Sequence, residues 1–157
     1  MKMKWMFAVA ALAYAPLGTA SENAAYPNEK LAAFVLEKLD VTSLPSSYRP
    51  KQEKGKKTFA DYGFTAERLE EKEALVQMPS GAHRLSIRIL QESASGIYAC
   101  AAELPQDGGN AKTQSVVLLK RKDPTALLKA RESSREFTSC PVIGASDNGT
   151  EASAYGG

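Results

Sequence analysis

Three apolar stretches separated by turn chemistry, between Arg84 and Arg121, constrain this fold more than any other feature of the chain. Leu85, Ile87 and Ile89 point one way and Arg84, Ser86 and Arg88 the other, the period of a strand with one buried and one wet face. Ser93-Ala94-Ser95-Gly96 supplies the next turn. Ile97 to Leu104 is apolar on both faces, with small Ala99, Ala101 and Ala102 where another layer packs closely. Asp107-Gly108-Gly109-Asn110 is the strongest turn signal in the sequence. Gln114 to Arg121 follows, with Val116-Val117-Leu118-Leu119 as a further buried strand. Short turns between such runs specify an antiparallel meander.

Upstream, the pattern is less uniform. Glu67 to Met78 has a helix-favouring composition, and Thr65 would cap such a helix. Yet Ala74-Leu75-Val76-Gln77-Met78 runs into Pro79-Ser80-Gly81-Ala82, a hairpin turn, so at least its second half is expected to be strand. Residues 67–73 remain open between strand and helix. Thr58 to Phe64 is read as a first strand. Ser43 to Lys57, with two prolines, one glycine and five cations against one acid, is a connector: a solvated loop, or a contact for an anionic partner.

Two helices are expected. Leu31, Phe34, Val35, Leu36 and Leu39 form an amphipathic stripe, opened by Asn28 as N-cap and ending near Asp40. Asp123-Pro124 has the cap and first-turn chemistry of a second helix, with Leu127, Leu128 and Arg131 at helical spacing. Glu136 to Ile143 is an edge strand or extended segment. The expected architecture is therefore α+β: an N-terminal helix packed on a four- to five-stranded antiparallel meander, then a second helix and a disulfide-tied C-terminal segment. This domain spans 21–143, and 144–157 has nothing to bury and is expected to be disordered.

The N-terminus sets the compartment. Lys2 and Lys4 precede an uncharged, mostly apolar run from Trp5 to Leu17, and Gly18-Thr19-Ala20 supplies small residues beyond it. This is the pattern of a secretory signal peptide over 1–20, and the apolar run is too short for a membrane span of roughly 20 residues. The expectation is export to the periplasm or outside the cell. Lys2 and Lys4 also account for the whole basic excess: the remaining chain carries 18 Lys and Arg against 18 Asp and Glu. A neutral balance argues against a nucleic-acid partner. In an oxidising compartment Cys100 and Cys140 are expected to bond; there is no Cys-x-x-Cys, and apolar surroundings raise the pKa of a thiol rather than activate it.

No cofactor or metal site is expected. His83 is the only histidine, which removes multi-histidine metal centres, and no Gly-x-Ser-x-Gly elbow is present. Gly108-Gly109 lies between two strands and reads as a turn, not a phosphate cradle. Asp61, Glu67, Glu70, Glu71, Glu73, Glu92 and Glu103 lie in or near the proposed sheet, and two suitably separated carboxylates suffice for a glycosidase. Tyr48, Phe59, Tyr62 and Phe64 are core beneath the first helix, or else the rim of a ligand site.

No family signature is recognised in these residues. The leading expectation is a small exported binding or interaction protein without catalytic machinery, whose partner is a protein or a small apolar ligand. The alternative is a small cell-envelope hydrolase acting through a carboxylate pair. Mass spectrometry of exported material should find Ser21 as the N-terminal residue; an intact Met1 would overturn the leader.

Overall fold

A computed structural model describes residues 26–107 and 109–141. The expected leader (1–20) and C-terminal tail (144–157) lie outside the described residues.

The described residues form helix α1 (Leu31–Lys38) and seven strands: β1 (Leu39–Asp40), β2 (Thr65–Leu69), β3 (Glu73–Gln77), β4 (His83–Ser93), β5 (Gly96–Pro105), β6 (Thr113–Lys120) and β7 (Leu128–Glu132). All seven belong to one curled sheet in the order β1-β7-β6-β5-β4-β3-β2, a half-barrel. Every neighbouring pair is antiparallel except β1 and β7, which run parallel.

Inner and outer faces follow from the period of two. Leu85, Ile87, Ile89, Ile97, Ala99, Ala101, Val117, Leu119, Leu128 and Ala130 point inward and are buried. Leu31 and Val35 of α1 cover them, together with Leu44 and Tyr48 from the connector and Phe59 and Tyr62 from the turn that follows it. Tyr48, Phe59 and Tyr62 are buried, and Phe64, partly buried, meets Phe59 edge to face at 5.1 Å between centroids, so these aromatics are core. On the outer face, Cys100 and Val116 are buried with Cys140, and Leu90, Tyr98 and Phe137 pack around them. The apolar outer side of β5 is therefore covered by the segment after β7, which the Cys100–Cys140 disulfide ties down at a Cα–Cα distance of 5.7 Å. Arg88 secures the same segment by donating to the Ser139 carbonyl, and Arg135 stacks over Tyr98 and Phe137 at 4.9 and 5.0 Å.

This architecture corrects the expected α+β fold: one short helix and a seven-stranded mixed sheet replace two helices on a four- to five-stranded meander. The second helix is absent. Asp123 Oδ1 does accept from the N–H groups of Thr125 and Ala126, as a helix cap would, but the turn does not propagate. Leu128 and Ala130 instead point into the core while Lys129 and Arg131 point out, and the segment pairs with β6 on one side and β1 on the other. Sheet pairing and burial at period two override helix propensity here.

The ambiguous segment is strand on both sides of a tight turn, with β2 and β3 meeting through Thr65↔Gln77 and Leu69↔Ala74. The expected first strand over 58–64 is a turn, pinned by Asp61, whose Oδ2 accepts from the N–H groups of Lys57 and Thr58 at 2.9 and 2.8 Å. The expected edge strand near Glu136 stays outside the sheet through residue 141. Asn28 does not cap α1. Lys30 adopts a left-handed conformation (φ 53°), and the β2–β3 turn closes the helix from across the fold. Glu71 accepts from Lys30 N–H on its carboxylate at 2.9 Å and from Ala32 N–H on its carbonyl at 3.1 Å. A carboxylate there is favourable to the helix dipole.

Reducing the disulfide frees the outer-face cover and the 40-residue separation it spans. Urea unfolding with and without reductant should show a loss of about 2–4 kcal/mol; an unchanged midpoint would mean the cover holds without the bond.

Candidate functional site

At the β1-β7-β6 end the outer face is left open beyond the disulfide-tied segment, and a groove of about 710 Å³ lies there. Half-buried Leu118, Ala126 and Leu127 provide its apolar lining. Lys57, Lys120, Arg121, Lys122, Lys129 and Arg131 ring them, and Asp40 is the one carboxylate among the lining residues.

Local folding explains each position. Leu118 and Lys120 alternate with the buried Val117 and Leu119 on β6, and Lys129 and Arg131 alternate with buried Leu128 and Ala130 on β7. The ladder sets Leu118 opposite Arg131 and Lys120 opposite Lys129. Arg121 is held at the end of β6 by donating to the Pro124 carbonyl at 2.6 Å, and it lies over the rings of Phe34 and Tyr26 at 5.1 and 5.4 Å. A smaller hollow of about 220 Å³, formed by Thr42 and residues 52–57, shares Lys57 with the groove.

Asp40 is the anchor of this end, only 1% exposed. Its Oδ2 accepts from Lys129 Nζ and lies 3.9 Å from Lys57 Nζ; its Oδ1 accepts from the backbone N–H of Thr42 at 3.0 Å and from the Thr42 hydroxyl. Burial works against the charged form. The Lys129 ammonium and the Thr42 donors outweigh it, and the carboxyl is held below its ordinary value of 3.8. Ser43 extends the seam: its hydroxyl donates to the Asp40 carbonyl at 2.6 Å and accepts from Ala130 N–H at 2.8 Å.

The residues singled out in the sequence lie elsewhere. Asp61 pins the connector turn, and the N–H groups of Thr58 and Lys57 hold it below the usual carboxylate range. Glu67 pairs with Arg84 at 3.7 Å, Glu70 and Glu73 both engage Arg68, and Glu71 closes α1. Glu92 is exposed near the end of β4. Glu103 sits 3.3 Å from His83 Nδ1 where β4 begins, with Lys112 Nζ 3.4 Å from the same nitrogen. None of these residues lines the groove. Among the described residues no three His, Cys, Asp or Glu side chains gather as a metal site, and no helix is long and apolar enough to cross a membrane.

Sequence reasoning missed the groove because it placed 124–132 in a helix, which scatters Lys129 and Arg131 from Lys120. The available signal was the alternation Leu128-Lys129-Ala130-Arg131, a strand pattern of the same kind as that of β4. No protein-family model, no curated protein and no solved structure matches this chain.

The seam makes a directional prediction. Asp40→Asn releases Lys129, already 57% exposed, to water and should cost about 1–3 kcal/mol. Lys129→Met strands a buried carboxylate and should cost more. Because the folded carboxyl lies below 3.8, its stabilisation is present above that pH and is lost as pH falls through the folded value. Denaturant midpoints measured against pH should fall less steeply on the acid side in Asp40→Asn than in the wild type, the difference being the Asp40 share.

Proposed function

We propose that this chain is an exported binding protein whose ligand is an amphiphilic anion held in the outer-face groove. The observation that carries the reading is the pairing of an open apolar lining, Leu118, Ala126 and Leu127, with six surrounding cations and one carboxylate already committed to Lys129 and Thr42. An apolar chain gains free energy by covering the leucines. An anionic group compensates lysines that the fold leaves in excess. A volume of about 710 Å³ is in the range of small-molecule sites.

The disulfide supports the exported setting, since such bonds persist in oxidising compartments. The formal neutrality of the chain after its first twenty residues does not oppose an anionic ligand, because the charges are unevenly placed. Four acids, Glu67, Glu70, Glu71 and Glu73, lie at the β2–β3 hairpin, while six cations line the groove at the opposite edge of the sheet.

Calorimetric titration with decanoate should show saturable binding, and decyl maltoside, with an equally long chain and no charge, should not compete for it. Lys122→Glu, a change at an exposed site, should weaken decanoate by about tenfold. Equal binding of the uncharged amphiphile, or indifference to Lys122→Glu, would sink the reading.

A further inference from the structure

The cations of the groove are not evenly spread. Lys120 and Lys129 stand directly opposite each other on adjacent strands and both face outward. Like charges in that relation weaken a strand pair unless something lies between them. Asp40, the register partner of Lys129 on its other side, offsets only part of this charge, and Lys57 approaches the same carboxylate oxygen at 3.9 Å. One carboxylate therefore serves Lys129 and Lys57, and it does not reach Lys120. Among the described residues no hydrogen bond or ion pair engages the side chains of Lys120, Lys122 or Arg131.

Resting on the binding role proposed above, we infer that the ligand's head is a dianionic oxyanion of phosphate-monoester type, seated over the opposed Lys120 and Lys129 ammonium groups. Its apolar part runs from there over one of the two flanking leucines, Leu118 or Leu127. The charge fits at the head position: Lys57, Lys120 and Lys129 set against Asp40 leave two positive charges, which a dianion compensates in full and a carboxylate or sulfate ester only by half. The donors fit as well. An ammonium carries three N–H groups, so Lys129 keeps donors free after its bond to Asp40, and a phosphate monoester offers three strong acceptor oxygens. Leu118 precedes Lys120 by two residues on the same strand face, about 7 Å away, and Leu127 stands in the same sequence relation to Lys129. The lysine pair thus lies between two apolar contacts, within reach of the first carbons of an alkyl ester.

The test is calorimetry on the oxidised protein at pH 8 with decyl phosphate, decyl sulfate, decanoate and inorganic phosphate. Decyl phosphate should bind about tenfold more tightly than decyl sulfate, its tetrahedral monoanionic counterpart. Lys120→Gln, an exposed substitution that leaves the Asp40 seam alone, should remove most of that preference. Equal affinity for phosphate and sulfate esters would overturn the dianionic head while leaving an amphiphile-binding role standing. Inorganic phosphate binding as tightly as decyl phosphate would support the head site, assign it to a free phosphate or phosphoester, and overturn the apolar contact. Absence of binding by all four would overturn the head and the binding role together.

Discussion

Strand β5 sets the terms for everything packed on it. Ile97, Ala99 and Ala101 on its inner side and Cys100 on its outer side are all buried, so the middle of the sheet is wet on neither face. A sheet with two apolar faces needs cover on both. Helix α1 is only eight residues long and cannot cover a curled seven-stranded sheet alone. The connector and the 58–64 turn do the rest, inserting Leu44, Tyr48, Phe59 and Tyr62 beneath a polar exterior. Tyr48 ties the layer to the sheet through its hydroxyl, 3.2 Å from Ser115 Oγ. On the other face the cover is the segment around Phe137 and Cys140, held by the disulfide together with the Arg88 and Arg135 contacts.

The groove exists because that outer cover stops. Phe137 reaches Tyr98, and Tyr98 pairs across the ladder with Leu118, but the open stretch begins at Leu118 itself. Beyond it the sheet is finished by β1, two residues long, joined to β7 through only Leu39↔Leu128 and Asp40↔Lys129. So short a parallel pairing carries little backbone hydrogen bonding, and side chains make up the difference. Asp40 grips Lys129 and Thr42, while Ser43 bridges the Asp40 carbonyl to the Ala130 amide. The arrangement that closes the sheet is also what leaves lysines crowded at its surface, so structure and candidate chemistry share the same residues.

The legible parts of the fold were those in which one local signal acted alone. The β4, β5 and β6 strands follow from alternation, two-sided apolarity and turn residues, and Cys100 and Cys140 form the expected bond. The β3–β4 hairpin was likewise readable from Pro79-Ser80-Gly81-Ala82. The misread parts were those in which a local signal met a tertiary one. Asp123 does cap a turn, but Leu128 and Ala130 are worth more in the sheet's core than on a solitary helix. Glu71, rather than Asn28, closes α1 because the β2–β3 turn arrives there, a contact 41 residues away that no window along the chain contains. Asp40 was visible only as the end of a helix. Its role depends on β7 lying beside it, 89 residues downstream.

The same contrast bears on charge. A net charge near zero constrains solubility and long-range attraction, but it says nothing about where the charges sit. Along the sequence Lys57, Lys120, Lys122, Lys129 and Arg131 are interspersed with acids and look unremarkable. The fold gathers them: β6, β7 and the connector bring these cations to one edge of the sheet, with Asp40 the carboxylate among the groove's lining residues, while Glu67, Glu70, Glu71 and Glu73 lie at the β2–β3 edge. Attraction between these ends across the whole sheet is screened at physiological ionic strength, where charges interact over about 8 Å. Repulsion between Lys120 and Lys129, neighbours on one ladder, is not. The groove thus gathers cations that Asp40, set against Lys129 and Lys57, balances only in part, and this local excess is what the proposed anionic ligand would answer.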